Sequence, residues 1–117
     1  MTLVYSFSAD LTVYAKWTPN TYTVTYDANS ATSGSVPSNQ TKTHAVSLTL
    51  RTNSGTLVRT GYTFDGWNTL ANGSGDPYAS GGSYTANAGI TLYAKWNINS
   101  YTVTYDGNTS DGGTAPV

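Results

Sequence analysis

His44 is the one histidine of this sequence and the first candidate for acid–base work, and nothing around it completes a catalytic set. The chain has no Cys to serve as a nucleophile and no Glu to serve as an acid. Thr43 and Ala45 on either side fit an ordinary strand or loop position, so His44 is not read as catalytic. Asp27, Asp65, Asp76 and Asp106 could offer hard oxygen ligands to calcium. The stretch Asn72-Gly73-Ser74-Gly75-Asp76 has the look of a metal loop, yet it lacks the carboxylate count and spacing of an EF-hand, and its residues already spell a turn. No metal or cofactor is expected. Lys16 and Lys95, with Asn29 and Asn108, are the residue types that some surface modules join through an amide beside an acid. Lys95 alternates with Leu92 and Trp96 onto what reads as a solvent face, where an exposed charge on an edge strand discourages aggregation. Asn39-Gln40-Thr41, Asn72-Gly73-Ser74 and Asn108-Thr109-Ser110 fit the glycosylation sequon, as chance allows in a chain rich in Asn, Ser and Thr.

Aromatic rings are the other candidates for contact chemistry. Ten Tyr and three Trp could stack on sugar faces, but large aromatics also carry much of the buried area of a small domain. Trp17, Phe64, Trp67 and Trp96 are therefore assigned to the core. Tyr14 and Tyr93 fall on the opposite face from Trp17 and Trp96 and form the candidate contact surface, toward a neighbouring unit or a ligand.

Strands must position these residues. Tyr22, Val24 and Tyr26 alternate with Thr23 and Thr25, the period of a half-buried strand. Ile90, Leu92, Ala94 and Trp96 alternate with Thr91, Tyr93 and Lys95 in the same way. Tyr62-Thr63-Phe64 begins a third strand, and Gly66 marks a bulge that lets Phe64 and Trp67 both face inward. Residues 46–50 make a fourth candidate. Residues 52–59 offer at most a short turn of helix, interrupted by Gly55. Asn53-Ser54-Gly55, Asn72-Gly73-Ser74-Gly75 and Ser80-Gly81-Gly82 are turn signals.

Composition agrees. Thr and Ser supply 34 of the 117 residues and only 9% are charged, which favours pleated, half-exposed strands over helices. Lys16, Lys42, Arg51, Arg59 and Lys95 are scattered and the net charge is −1, so no basic patch points to nucleic acid. No apolar run approaches the roughly 20 residues of a membrane span, and residues 1–10 lack the features of a signal peptide, so any signal is expected upstream.

The strongest feature is self-similarity. Tyr14-Ala15-Lys16-Trp17 returns as Tyr93-Ala94-Lys95-Trp96, and Tyr22-Thr23-Val24-Thr25-Tyr26-Asp27 returns as Tyr101-Thr102-Val103-Thr104-Tyr105-Asp106, both at an offset of 79 residues. Tyr5, Asn20, Asn29, Gly34 and Pro37 match Tyr84, Asn99, Asn108, Gly113 and Pro116 at the same offset. One shared offset indicates duplication. Residues 1–17 read as the end of a preceding repeat, 18–96 as one complete repeat, and 97–117 as the start of the next. The joints 18–21 and 97–100 are too short for independent tumbling, so the array should be a semi-rigid rod. The end pieces cannot order themselves alone and are expected to pair with the central repeat or with another chain.

Arg59-Thr60-Gly61-Tyr62-Thr63-Phe64-Asp65-Gly66-Trp67-Asn68-Thr69, followed by Gly73-Ser74-Gly75 and by Leu92-Tyr93-Ala94-Lys95-Trp96, resembles the Listeria–Bacteroides repeat. That family includes the B repeat of listerial internalin. The resemblance covers essentially the whole chain and implies a small β-grasp-like fold, strand-dominated and repeated in tandem, in proteins that bacteria secrete or display. It also implies spacer or adhesive roles without catalysis. Extra residues around 41–57 depart from the shorter family members, and no binding residue carries over.

The sequence thus leads to a mainly β protein, α+β at most, built as a tandem array. It is expected to be a non-catalytic spacer or adhesin stalk, extracellular or on the bacterial cell surface. The expected partners are neighbouring repeats or other copies, with a host protein or a glycan as alternative ligand. Self-assembly into a filament through open strand edges is the third reading. No nucleic acid and no membrane insertion is expected.

Overall fold

Alternation sets the first strand as read. In the computed structural model, which describes residues 9–106, β1 (Thr21–Asp27) buries Val24 and Tyr26 and exposes Thr23 and Asp27. Six more strands follow: β2 (Gln40–Thr43), β3 (Leu48–Thr49), β4 (Tyr62–Asn68), β5 (Pro77–Tyr78), β6 (Ser83–Tyr84) and β7 (Ile90–Ile98). No helix forms among the described residues, so the protein is mainly β. Tyr5, Asn108, Gly113 and Pro116, and the sequon at Asn108, lie outside the described residues.

The main sheet has the order β2-β1-β7-β4-β5. β1 and β7 run parallel at its centre, with Val24 level with Ile90 and Asp27 level with Tyr93. The other pairings are antiparallel. β3 and β6 form a separate two-stranded ladder, Leu48 opposite Tyr84. The core joins these layers: Val24, Tyr26, Leu50, Leu57, Trp67, Tyr84, Leu92 and Ala94 are buried, with Phe64, Tyr78, Ile90 and Trp96 packed against them.

The bulge in β4 decides which aromatics reach that core. Phe64 pairs with Trp96 and Trp67 with Ala94, so Asp65 and Gly66 oppose Lys95 alone. The extra residue resets the alternation, and the Phe64 and Trp67 rings meet edge to face at 5.2 Å. Gly66 holds φ +79, and a Cβ there would lie 2.8 Å from the Tyr78 carbonyl oxygen. Gly66→Ala is expected to cost about 1–3 kcal/mol from backbone strain, read as a lower urea midpoint. An unchanged midpoint would show that the bulge relaxes freely.

Several expectations change. The strand at 46–50 shortens to Leu48–Thr49, and β2, β5 and β6 carried too few apolar residues to show. Residues 52–59 make no helical turn, because the Asn53 side chain takes the Leu57 N–H at 2.7 Å and gives its own N–H to the Leu57 carbonyl at 3.0 Å. Such side-chain bonding competes with the helix. Lys95 is not on an edge strand: β7 lies between β1 and β4, and Lys95 is half-buried. Trp17 is not a core anchor here. It is 87% exposed, because residues 10–20 form no strand and so have no sheet to bury a ring against. Leu11, Val13 and Tyr14 are likewise exposed, so this leading segment does not dock on the central sheet.

Candidate functional site

The residues singled out for chemistry are dispersed. His44 lies on the turn after β2, exposed, with its Nδ1 3.0 Å from the Tyr22 hydroxyl. Asp27 accepts the Asn29 N–H at 2.7 Å, and Asp65 accepts from the Asn97 amide at 2.9 Å. Among the described residues no three His, Cys, Asp or Glu side chains group as metal ligands. The 72–76 stretch is a turn held from within: Asn72 Oδ1 accepts the Ser74 N–H and hydroxyl, and the Thr69 hydroxyl oxygen accepts the Asp76 N–H.

Asn68, at the end of β4, organises that turn and was not singled out from the sequence. It is 1% exposed. Its Oδ1 accepts the Leu70 and Gly75 N–H groups at 3.0 and 2.9 Å, and its Nδ2 donates to the Gly73 and Gly75 carbonyls. An Asn between a buried Trp and a Gly-rich loop was the available signal.

Beside this loop the structure forms a polar pocket of about 150 Å³ lined by Asn29, Arg59, Ala71, Asn72, Gly73, Lys95 and Trp96. Asn29 builds its floor. From a left-handed backbone (φ 50), its amide reaches the Ala71 carbonyl at 2.7 Å and the Ala94 carbonyl at 2.9 Å, pinning the loop to β7. The Trp96 indole N–H donates to the Asn29 carbonyl at 3.0 Å. The Arg59 guanidinium lies 3.9 Å from the centre of the Tyr62 ring. Lys95 runs past Gly73, where a Cβ would come within 3.4 Å of its stem. Two cations line the pocket and no carboxylate does. Of the candidate contact residues, Tyr93 is half-buried on β7 opposite Asn68 and Asp27, while Tyr14 is 87% exposed on the leading segment. The structure does not bring them together.

The core aromatics are held by their polar ends. The Tyr26 hydroxyl donates to Gln40 Oε1 and accepts the Arg51 N–H at 2.9 Å. The Trp67 indole donates to the Arg51 carbonyl at 3.0 Å. Burial pushes the Tyr26 phenol above its ordinary value of 10.0, against a smaller opposing pull from Arg51. Burial, reinforced by nearby Tyr78, raises Tyr84 as well. A raised phenol binds its proton more tightly folded than unfolded, so its contribution is complete below the unfolded value and fades as pH climbs through the folded one. Stability measured by urea unfolding is expected to fall as pH rises past the ordinary phenol value of 10.0, less steeply in Tyr26→Phe. Equal slopes in the two proteins would remove Tyr26 as the source.

A mainly β module with a mixed central sheet and no catalytic constellation in the described residues is the class this geometry defines. The Listeria-Bacteroides repeat domain matches residues 22–95. The chain belongs to that family, as the motifs around Trp67 and Trp96 indicated. A relative named as a Gly-rich membrane protein of Evansella cellulosilytica is 41% identical over 100 residues, 85% of this chain and 12% of that protein. A second, named as a membrane protein of the same organism, is 41% identical over 93 residues, 79% of this chain and 14% of that protein. The chain therefore spans only about an eighth of these relatives' length. No solved structure gives a significant match.

Proposed function

We propose that this chain is a non-catalytic tandem repeat module that acts as a semi-rigid spacer in a bacterial surface protein. In this reading residues 18–96 are the complete repeat, flanked by the end of one copy (1–17) and the start of another (97–117). One observation carries it: β1 and β7 are parallel neighbours, so the chain enters at one end of the sheet and leaves at the other. A module of this topology extends a polypeptide along a line. The β2-β1-β7-β4 order, with first and last strands parallel at the centre, supports a β-grasp-like fold whose crossover is the stretch 44–61, which carries only the two-residue β3. The relatives' descriptions as membrane proteins support a surface location. In the described residues no helix is long and apolar enough to cross a membrane.

Sedimentation velocity over a hundredfold concentration range tests the spacer reading against assembly. A monomer of 12.3 kDa is expected throughout. Polymers would make assembly the function instead. Residues 103–106 of one chain would then pair with residues 11–14 of the next, in the register that joins 24–27 to 90–93.

The polar pocket favours a second reading, a binding module for an acidic saccharide. Arg59 and Lys95 would take the carboxylate, and Trp96, which lines the same pocket, would contact the sugar ring. Asn29, Lys95 and Trp96 each recur at the 79-residue offset, so an array would repeat the site. Glucuronic acid should raise the thermal midpoint by mass action, glucose should not, and Lys95→Gln should abolish the rise. Equal effects of the two sugars, or none, would sink this reading.

A further inference from the structure

Asn20 and Asn99 hold the same position in the 79-residue period, one at each end of the folded body. Each end shows a different half of the bonding. At the leading end the Asn20 carbonyl accepts the His44 N–H at 2.9 Å, just before Thr21 pairs with Thr43. At the trailing end the Asn99 N–H donates to the Gly61 carbonyl at 2.8 Å, and Asn99 Oδ1 accepts from the Thr63 hydroxyl. The two sets use different atoms of the residue and do not compete.

The spacing leaves no slack between them. β7 ends at Ile98, and Ser100 occupies the place of Thr21, where β1 starts. A single asparagine therefore separates the last strand of one repeat from the first strand of the next. We infer that this asparagine staples adjacent repeats. Its N–H and side chain hold the Gly61–Thr63 rim of the preceding copy, and its carbonyl holds the His44 turn of the following copy. The inference rests on the tandem reading above, and the partner surface is a second copy of this repeat, docked end to end.

Two features support that occupant. Ile98 at the trailing rim is 75% exposed, and Val46 beside the leading turn is 55% exposed. These apolar side chains stand open at the two ends that stacking would bring together. The register also fixes the advance per repeat. Val24 is level with Ile90, so Asn20 lies four positions below that level and Asn99 nine above it, a rise of roughly 40 Å at strand spacing. The joint before the complete repeat keeps the asparagine and differs at its other three positions, of which one changes the backbone. Pro19 stands where Ile98 does, removing one N–H and fixing φ, while Asn20 keeps its own donor.

The test is a chain in which residues 21–99 are repeated twice without interruption. This period contains the whole sheet and core, whereas residues 9–19 are exposed throughout. The sequence has no Cys, so Thr41→Cys in each copy gives one spin label per repeat, on an exposed position of β2. Pulsed EPR should return one narrow distance distribution centred at roughly 40 Å. Inserting Gly-Ser-Gly-Ser after the internal Asn99 separates the two bond sets and should broaden it by roughly 10 Å. An uninterrupted chain as broad as the inserted one would overturn the staple, while near-UV circular dichroism with two folded repeats' worth of Trp signal would leave the tandem reading standing. Only one folded repeat per chain would overturn both.

Discussion

Trp67→Ala is expected to lower the unfolding free energy by about 3–5 kcal/mol, a large share of what a small domain has to lose. The ring is fully buried and central to the packing. Tyr26 lies at 4.7 Å and Phe64 at 5.2 Å between ring centres, so truncation opens a cavity in contact with two other aromatics. It also removes the indole donor from the Arg51 carbonyl. Tyr26 holds the N–H of the same residue, so the loop after Leu50 would keep one of two ties to the core. Trp67→Phe separates the effects: it retains much of the apolar contact and loses the hydrogen bond, worth about 1 kcal/mol. Urea unfolding of both variants gives the two numbers. Trp96→Ala is the control. Its ring is half-buried at the flank of the core, against Phe64 at 5.7 Å, and its loss should cost less. Were Trp96→Ala the more damaging, the packing centre would lie at the pocket side of β7.

The contrast between Trp67 and Trp17 shows how much of this fold could be read in advance. Alternation and the Gly66 signal located β1, β4 and β7, because those strands bury one continuous face and their side chains say so. Trp17 has the same local sequence as Trp96, and local sequence was all that assigned it to a core. Burial depends on what lies opposite, and among the described residues nothing lies opposite residue 17. β5 and β6 have two residues each, too short for any period to register. The pocket was hidden for another reason. Arg59 and Lys95 are separated by the whole of β4, the 69–76 loop, β5, β6 and the first residues of β7, and they line one pocket because β4 pairs with β7 and Asn29 ties the loop to β7. Lys95 was read as exposed because its neighbours alternate, but a central strand in a mixed sheet is partly covered on both faces.

Lys42 is the sharper case, and replacing it should divide packing from polarity. It lies on β2 opposite Tyr22 with no exposed surface, flanked by two threonines that gave no hint of burial. Its Nζ donates to the Thr43 carbonyl at 2.7 Å and to Asn87 Oδ1 at 3.3 Å, and neither partner is a carboxylate. Removing an amine from such a site strands nothing. The Thr43 carbonyl also accepts the Val46 N–H, and Asn87 Oδ1 also accepts the Ala45 N–H at 2.9 Å. Lys42→Met keeps the unbranched stem and discards the costly polar head, so its stability should stay within about 1 kcal/mol of the parent or rise. Lys42→Ala keeps neither and should lose about 2–5 kcal/mol to the cavity. If Met proves as damaging as Ala, the amine itself is what the fold requires. The expected result, Met tolerated and Ala not, assigns the aliphatic stem to stability. It leaves the amine to tie Asn87 to the end of β2, beside the turn where Ala45 takes a left-handed backbone at φ 61. That turn carries His44, whose N–H meets Asn20. The head group of Lys42 would then shape the end of the module that meets its neighbour, and Lys42→Met would leave the unfolding midpoint unchanged while speeding hydrogen exchange at the Ala45 N–H.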